Sequence, residues 1–166
     1  MNDLEAEISA LAIQLVKQGT EKSLRLVVAE SCTGGLIGGA ITRVPGSSET
    51  FDRGYITYSN AAKMDELSVS GASLADHGAV SEAVAREMAQ GALSRAHGDV
   101  AVSVTGIAGP GGSEHKPAGL VWFGLATRSG ALVTREQNYG DIGRDTVRQS
   151  AVREALELLL LGVDRS

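Results

Sequence analysis

Leu4, Ile8, Leu11 and Leu15 recur at intervals of four, three and four. That is the apolar stripe of an amphipathic helix, with Asn2 or Asp3 as its cap and Gly19 as its end. Residues 24–29 form a short, β-branched apolar run and predict a buried strand. Glu30-Ser31-Cys32-Thr33-Gly34-Gly35 follows, and a helical pattern returns over 36–44 until Pro45-Gly46 stops it. A second strand is predicted over 51–59, then a helix over 61–67 capped by Ser59-Asn60. Residues 70–80 read as loop or one short helical piece. An alanine-rich helix runs from 81 to about 97, with Val84, Met88 and Gly91 or Ala92 on one face. A strand over 99–104 leads into Thr105-Gly106-Ile107-Ala108-Gly109-Pro110-Gly111-Gly112-Ser113. Residues 120–127 and 132–137, joined by Arg128-Ser129-Gly130, read as a β-hairpin. The last helix covers about 143–161, with Val147, Ala151, Ala155 and Leu158 inward and Gly162 beyond its end.

Strands alternate with helices in the first half and a hairpin lies near the end. The expectation is an α/β fold: one layered α/β/α domain over 1–166, with a mixed sheet of parallel units plus one antiparallel pair. The length agrees, since 166 residues fit a single domain. One cysteine allows no internal disulfide and is too few for a common zinc site. A net charge of −5 argues against general affinity for nucleic acid or anionic membrane, while leaving room for a local basic pocket. The opening Met-Asn-Asp-Leu-Glu-Ala-Glu lacks a basic signal region, and no apolar run is long enough to span a membrane. A cytoplasmic protein is expected.

Glycine is in excess. The chain has 21, where average usage gives about 12. Gly34, Gly35, Gly38 and Gly39 form one cluster, and Gly106, Gly109, Gly111 and Gly112 form another. Both clusters follow predicted strands, the edge at which open α/β sheets bind ligands. Glycine there lets backbone N–H groups approach a ligand; the alternative is a pair of tight turns. Gly38 and Gly39 are assigned to helix–sheet packing. Neither cluster has the Walker or Rossmann spacing, so they indicate a small anionic or polar ligand without naming it.

Ser31 and Cys32 occupy the turn between strand and helix, where a side chain is held toward the ligand crevice. Ser31 is either a nucleophile or a helix N-cap; Cys32 is either a thiol nucleophile or a small buried apolar residue. His77, His97 and His115 match no metal spacing and fit surface roles. Lys63 is the other base available, in the first turn of its helix, where the dipole disfavours a cation. Bringing a lysine down to near 8 requires roughly 3 kcal/mol, more than the dipole supplies, so burial has to contribute. The other reading of Lys63 is a solvated surface residue.

Ala29-Glu30-Ser31-Cys32-Thr33-Gly34-Gly35, Thr57-Tyr58-Ser59-Asn60-Ala61-Ala62-Lys63, His77-Gly78-Ala79-Val80-Ser81 and Ser103-Val104-Thr105-Gly106-Ile107-Ala108-Gly109-Pro110 together resemble the CinA C-terminal domain family. Lys116-Pro117-Ala118-Gly119 and Gly140-Asp141 with Arg144 and Arg148 continue the match, which runs through nearly the whole chain in order. The resemblance, in the family's stand-alone form, implies hydrolysis of the carboxamide of nicotinamide mononucleotide by a serine/lysine mechanism. Ser31 matches the nucleophile and Lys63 the base, with Tyr58 close to both. Cys32, Thr33, Gly34, Asn60, Thr105, Gly106 and Gly109 are expected to line the substrate site. The amides near Thr33 and Gly34 are expected to stabilise the oxyanion. Arg144 or Arg148 is expected to pair with the nucleotide phosphate. No metal or redox cofactor is needed. One departure is visible: the Gly109–Lys116 loop is a residue shorter than the Gly-Pro-Asp-Gly-Gly-Ser type of close relatives. Two further readings stand beside this one, a nucleotide-binding module without turnover and an enzyme using Cys32. A homodimer through the apolar first helix or the hairpin is the expected assembly.

Overall fold

A computed structural model describes residues 1–166. The five strands are β1 (Leu26–Glu30), β2 (Phe51–Ile56), β3 (Val100–Gly106), β4 (Leu120–Thr127) and β5 (Leu132–Asn138). They form one mixed sheet in the order β2-β1-β3-β4-β5. β1 lies parallel to β2 and to β3, whereas β3–β4 and β4–β5 are antiparallel. The sheet therefore has two antiparallel pairs, not the one expected. Residues 107–119 between β3 and β4 contain no helix, and parallel neighbours require a long crossover, usually a helical one. A chain that leaves β3 through a loop returns alongside it.

Six helices cover the sheet: α1 (Asp3–Glu21), α2 (Leu36–Thr42), α3 (Asn60–Leu67), α4 (Gly71–His77), α5 (Glu82–Arg95) and α6 (Arg144–Asp164). Alternation along β1 assigns the layers. Leu26 and Val28 join a core with α1, α2 and α6, while Val27 and Ala29 join a second core with α3 and α5. Strands buried on both faces explain the near-continuous apolar runs of β1 and β3. Ile8, Ala12 and Leu15 of α1 pack against α6 and α2 within the chain, while Leu4 and Leu11 of the same stripe are partly buried.

Two glycine assignments change. Gly19 lies inside α1 and Gly162 inside α6, not at their ends. A Cβ at Gly19 would overlap the Thr50 hydroxyl, and one at Gly162 would collide with Val100 and Leu125. Both are sites of close helix approach, a requirement that a sequence shows only as a helix breaker. Gly38 lies against Phe51 and Val28 as expected of a packing residue, but Gly39 faces open space. No helix is long and apolar enough to cross a membrane.

Candidate active site

The turns that leave β1, β2 and β3 meet at one edge of the sheet, the carboxyl end of its parallel strands, where α/β folds present ligand sites. Ser31 directly follows β1. Its N–H donates to Val104 O at 3.0 Å, and on the other side Thr57 N–H donates to Glu30 O at 2.8 Å. The ladder thus extends past the strands and puts Thr57, Ser31 and Thr105 in one row. Alternation directs that row to the α3/α5 layer, away from α2.

The turn after Ser31 is set by two glycines with left-handed backbone, Gly34 at φ +57° and Gly35 at φ +103°. A side chain at either would be strained. Gly34 N–H donates to Ser31 O at 3.1 Å, so it is occupied and does not face a ligand as expected. The amides of Cys32 and Thr33 make no hydrogen bond within the chain.

Ser31 does not cap α2. The capping position is Gly35, and the start of the helix is satisfied by Glu30, whose carboxylate accepts from Gly35 N at 2.9 Å, Gly38 N at 2.9 Å and Ile37 N at 3.2 Å. Glu30 is 1% exposed, and three N–H donors at a positive helix end are what makes a buried carboxylate tolerable. Nothing in the spacing of the sequence assigns Glu30 this role. The available signal was an acidic residue just before a glycine-rich helix start that has no Ser, Thr, Asn or Asp at its capping position.

Lys63 reaches the serine from α3. Ser59 caps that helix, accepting from Ala62 N at 3.0 Å, and Lys63 follows in the first turn with only 1% of its surface exposed. Its Nζ lies 3.0 Å from Ser31 Oγ, 2.7 Å from Thr57 O and 3.2 Å from Tyr58 O. No carboxylate pairs with it. Burial disfavours the charged ammonium and lowers its pKa to about 8. Cys32, unlike Ser31, makes no hydrogen bond with Lys63. It is buried in the α2/α6 core, and burial pushes its thiol up to about 11.

The other expected site residues divide. Tyr58 supplies its carbonyl to Lys63, while its exposed ring reaches Arg144, whose Nη2 donates to Tyr58 Oη at 3.1 Å. Arg144 Nη1 donates to Gly109 O at 2.8 Å. Arg148 donates from Nε to Cys32 O at 3.0 Å and from Nη2 to Thr33 O at 3.3 Å. Both arginines, expected on a phosphate, hold backbone carbonyls, Arg148 in the turn after the serine and Arg144 in the β3–β4 loop. Thr105 turns its hydroxyl to Ala79 O at 2.9 Å, and Gly106 packs against Val121 and Leu120. Asn60 is exposed at the first turn of α3. Thr33 and Thr57 hydroxyls are buried and unpartnered.

A serine hydroxyl bonded to a buried lysine of lowered pKa, at the ligand edge of an α/β sheet, can pass its proton to the amine, which is the activation a serine nucleophile needs. Residues 8–162 match the CinA C-terminal domain, and the chain belongs to the CinA C-terminal domain family. It is 49% identical over 94% of its length to the nicotinamide-nucleotide amidohydrolase PncC of Enterobacter agglomerans, spanning 95% of that protein. It is 48% identical to the PncC of Escherichia coli K12, with 93% and 94% covered. A longer relative from Caldicellulosiruptor bescii, named for competence-damage induction, is 54% identical over 84% of this chain, which spans 34% of it. The solved structure of a competence/damage inducible protein from Agrobacterium tumefaciens superposes with a TM-score of 0.92 at 48% identity, covering 94% of this chain and 95% of that one.

Proposed function

We propose that this chain hydrolyses the carboxamide of nicotinamide mononucleotide, giving nicotinate mononucleotide and ammonia, with Ser31 as nucleophile and Lys63 as base. The observation that carries the chemistry is the set of three contacts at Lys63 Nζ. A neutral amine has two N–H groups and one lone pair. With the N–H groups donated to Thr57 O and Tyr58 O, the lone pair is left for the Ser31 hydroxyl at 3.0 Å. The two carbonyls thus orient the base as well as bind it.

The Ser31 proton passes to Lys63 as Oγ bonds to the amide carbon and the carbonyl π-electrons move onto oxygen. The unengaged amides of Cys32 and Thr33 support an oxyanion site immediately after the nucleophile. The C–N bond then breaks, and the Lys63 proton leaves with ammonia. Water, deprotonated by the again neutral lysine, attacks the acyl-serine ester and restores the Ser31 hydroxyl, with the carboxylate as product. The substrate's identity comes from the full-length likeness to proteins named as nicotinamide-nucleotide amidohydrolases; the serine–lysine geometry supports amide hydrolysis independently.

Ammonia release from nicotinamide mononucleotide by purified protein tests the reading. Wild type should turn over, and Ser31→Ala and Lys63→Met should each lose roughly 1,000-fold or more in kcat, the usual scale for removing a member of a catalytic unit. A Ser31→Ala variant as active as wild type would exclude this mechanism.

A further inference from the structure

The carboxyl edge of the sheet carries a second feature that the serine–lysine pair does not use. A cavity of about 520 Å³ lies between the end of α4, the α4–α5 turn and the β3–β4 loop, with Asp76, His77, Ala79, Ile107, His115 and Lys116 in its walls. Its volume is in the range of small-ligand sites. Three of these six residues carry or can accept positive charge against one carboxylate, in a chain whose net charge is −5. Lys116 is held by the backbone: Nζ donates to His77 O at 2.6 Å and to Val80 O. That tether fixes the ammonium in the wall and leaves its third N–H for a ligand.

We propose that this cavity holds the phosphate of the nucleotide substrate. The inference rests on the proposed reaction at Ser31 and adds the place of the charged end. Thr105 stands beside Ser31 in the extended ladder, and its hydroxyl is bonded to Ala79 O in the cavity wall. Ile107 lies two residues further along the same strand direction. Strand rise and spacing put that wall about 8 Å from the serine. In nicotinamide mononucleotide the pyridine ring, the ribose and a methylene separate the attacked carboxamide from the phosphate, a span of the same order.

The competing cations at this edge have other work. Arg148 is only 27% exposed at its side chain, with Asp145 at 3.9 Å, and both its donor contacts go to the carbonyls of Cys32 and Thr33. Arg144 links Gly109 O to Tyr58 Oη. An anion drawing Arg148 away would release the turn after Ser31, and one drawing Arg144 away would break the link between Gly109 and Tyr58. Lys116 and His115 have no such duty toward the serine turn.

The test compares kcat/KM for nicotinamide mononucleotide with that for nicotinamide riboside, the same nucleoside without phosphate. In Lys116→Gln the preference for the mononucleotide should fall roughly ten-fold or more, the scale of one charge-assisted hydrogen bond to phosphate. His115→Gln, an exposed change, should lower it in the same direction by less. Inhibition by ribose 5-phosphate should weaken in parallel. A preference unchanged in both variants overturns the proposal, as does a loss confined to Arg144→Gln. If Lys116→Gln fails to fold, turnover of both substrates falls together, and His115→Gln with ribose 5-phosphate inhibition decides. A wild type inert on both amides refutes the reaction proposed at Ser31 instead, and calorimetric binding of ribose 5-phosphate to wild type and His115→Gln then tests the cavity alone.

Discussion

Lys63 faces two carbonyls and a hydroxyl with no counter-ion, so its charge state couples reaction and stability. In the proposed reaction Lys63 is the base, and it is neutral above a pKa of about 8. Activity as kcat/KM should therefore rise with pH and level off above that midpoint; a profile flat from pH 6 to 10 would exclude Lys63 as the titrating base. The linkage has the opposite sign from that of a salt-bridged lysine. Between about 8 and the ordinary value of 10.5 the unfolded chain binds one proton more than the folded chain, so folded stability rises with pH across that window. Denaturant unfolding of wild type, referred to Lys63→Met, should show a relative gain of about 3 kcal/mol from pH 7 to 10.5. Cys32 makes a separate residue-scale prediction. With its thiol buried and pushed up to about 11, native protein at pH 7.5 should resist iodoacetamide, and Cys32→Ala should keep its turnover within a few-fold. Rapid inactivation matched to alkylation of Cys32 would revive the thiol as nucleophile.

At the scale of elements, the start of α2 is a seven-residue helix whose first amides converge on one buried carboxylate. Glu30 ends β1 and Ser31 continues its ladder, so alternation points one to α2 and the other to Lys63. Because Glu30 caps the helix, the Ser31 hydroxyl is free for the lysine. Glu30→Gln replaces an acceptor oxygen by a donor facing N–H groups, and should cost about 1–3 kcal/mol in unfolding free energy. Its kcat should fall more than its KM rises, while the midpoint of the pH profile stays where wild type has it. An equal loss in both constants, or a moved midpoint, would argue against a role confined to holding the turn. The strand, the turn and the first turn of α3 were legible in the sequence as apolar runs broken by Gly34-Gly35 and Ser59-Asn60. Which side chain caps α2 was not. Ser31 and Glu30 are both credible neighbours of a helix start, and only the face each occupies on β1 separates them.

Over the whole molecule, α1 closes the layer in which α2 and α6 pack against the sheet, and Leu15 is fully buried in that contact. Leu15→Ala should lower unfolding free energy by about 2–5 kcal/mol as measured in denaturant. The pH midpoint of activity should not move, because this layer lies across the sheet from Lys63. A shifted midpoint would mean that the two layers are coupled through the sheet. Local pattern alone determined the alternation of strands and helices, the two glycine-rich turns and the nomination of Ser31 and Lys63. Those signals are periodicities and turn chemistries, readable over a few residues. The second antiparallel pair, the helix-packing duties of Gly19 and Gly162 and the engagement of Arg144 and Arg148 with backbone carbonyls were decided only by the tertiary structure. So was the lowered pKa of Lys63. Each of these depends on what lies opposite a residue in space, and for Lys63 that is a dry site with two carbonyls and a serine drawn from positions up to 32 residues away.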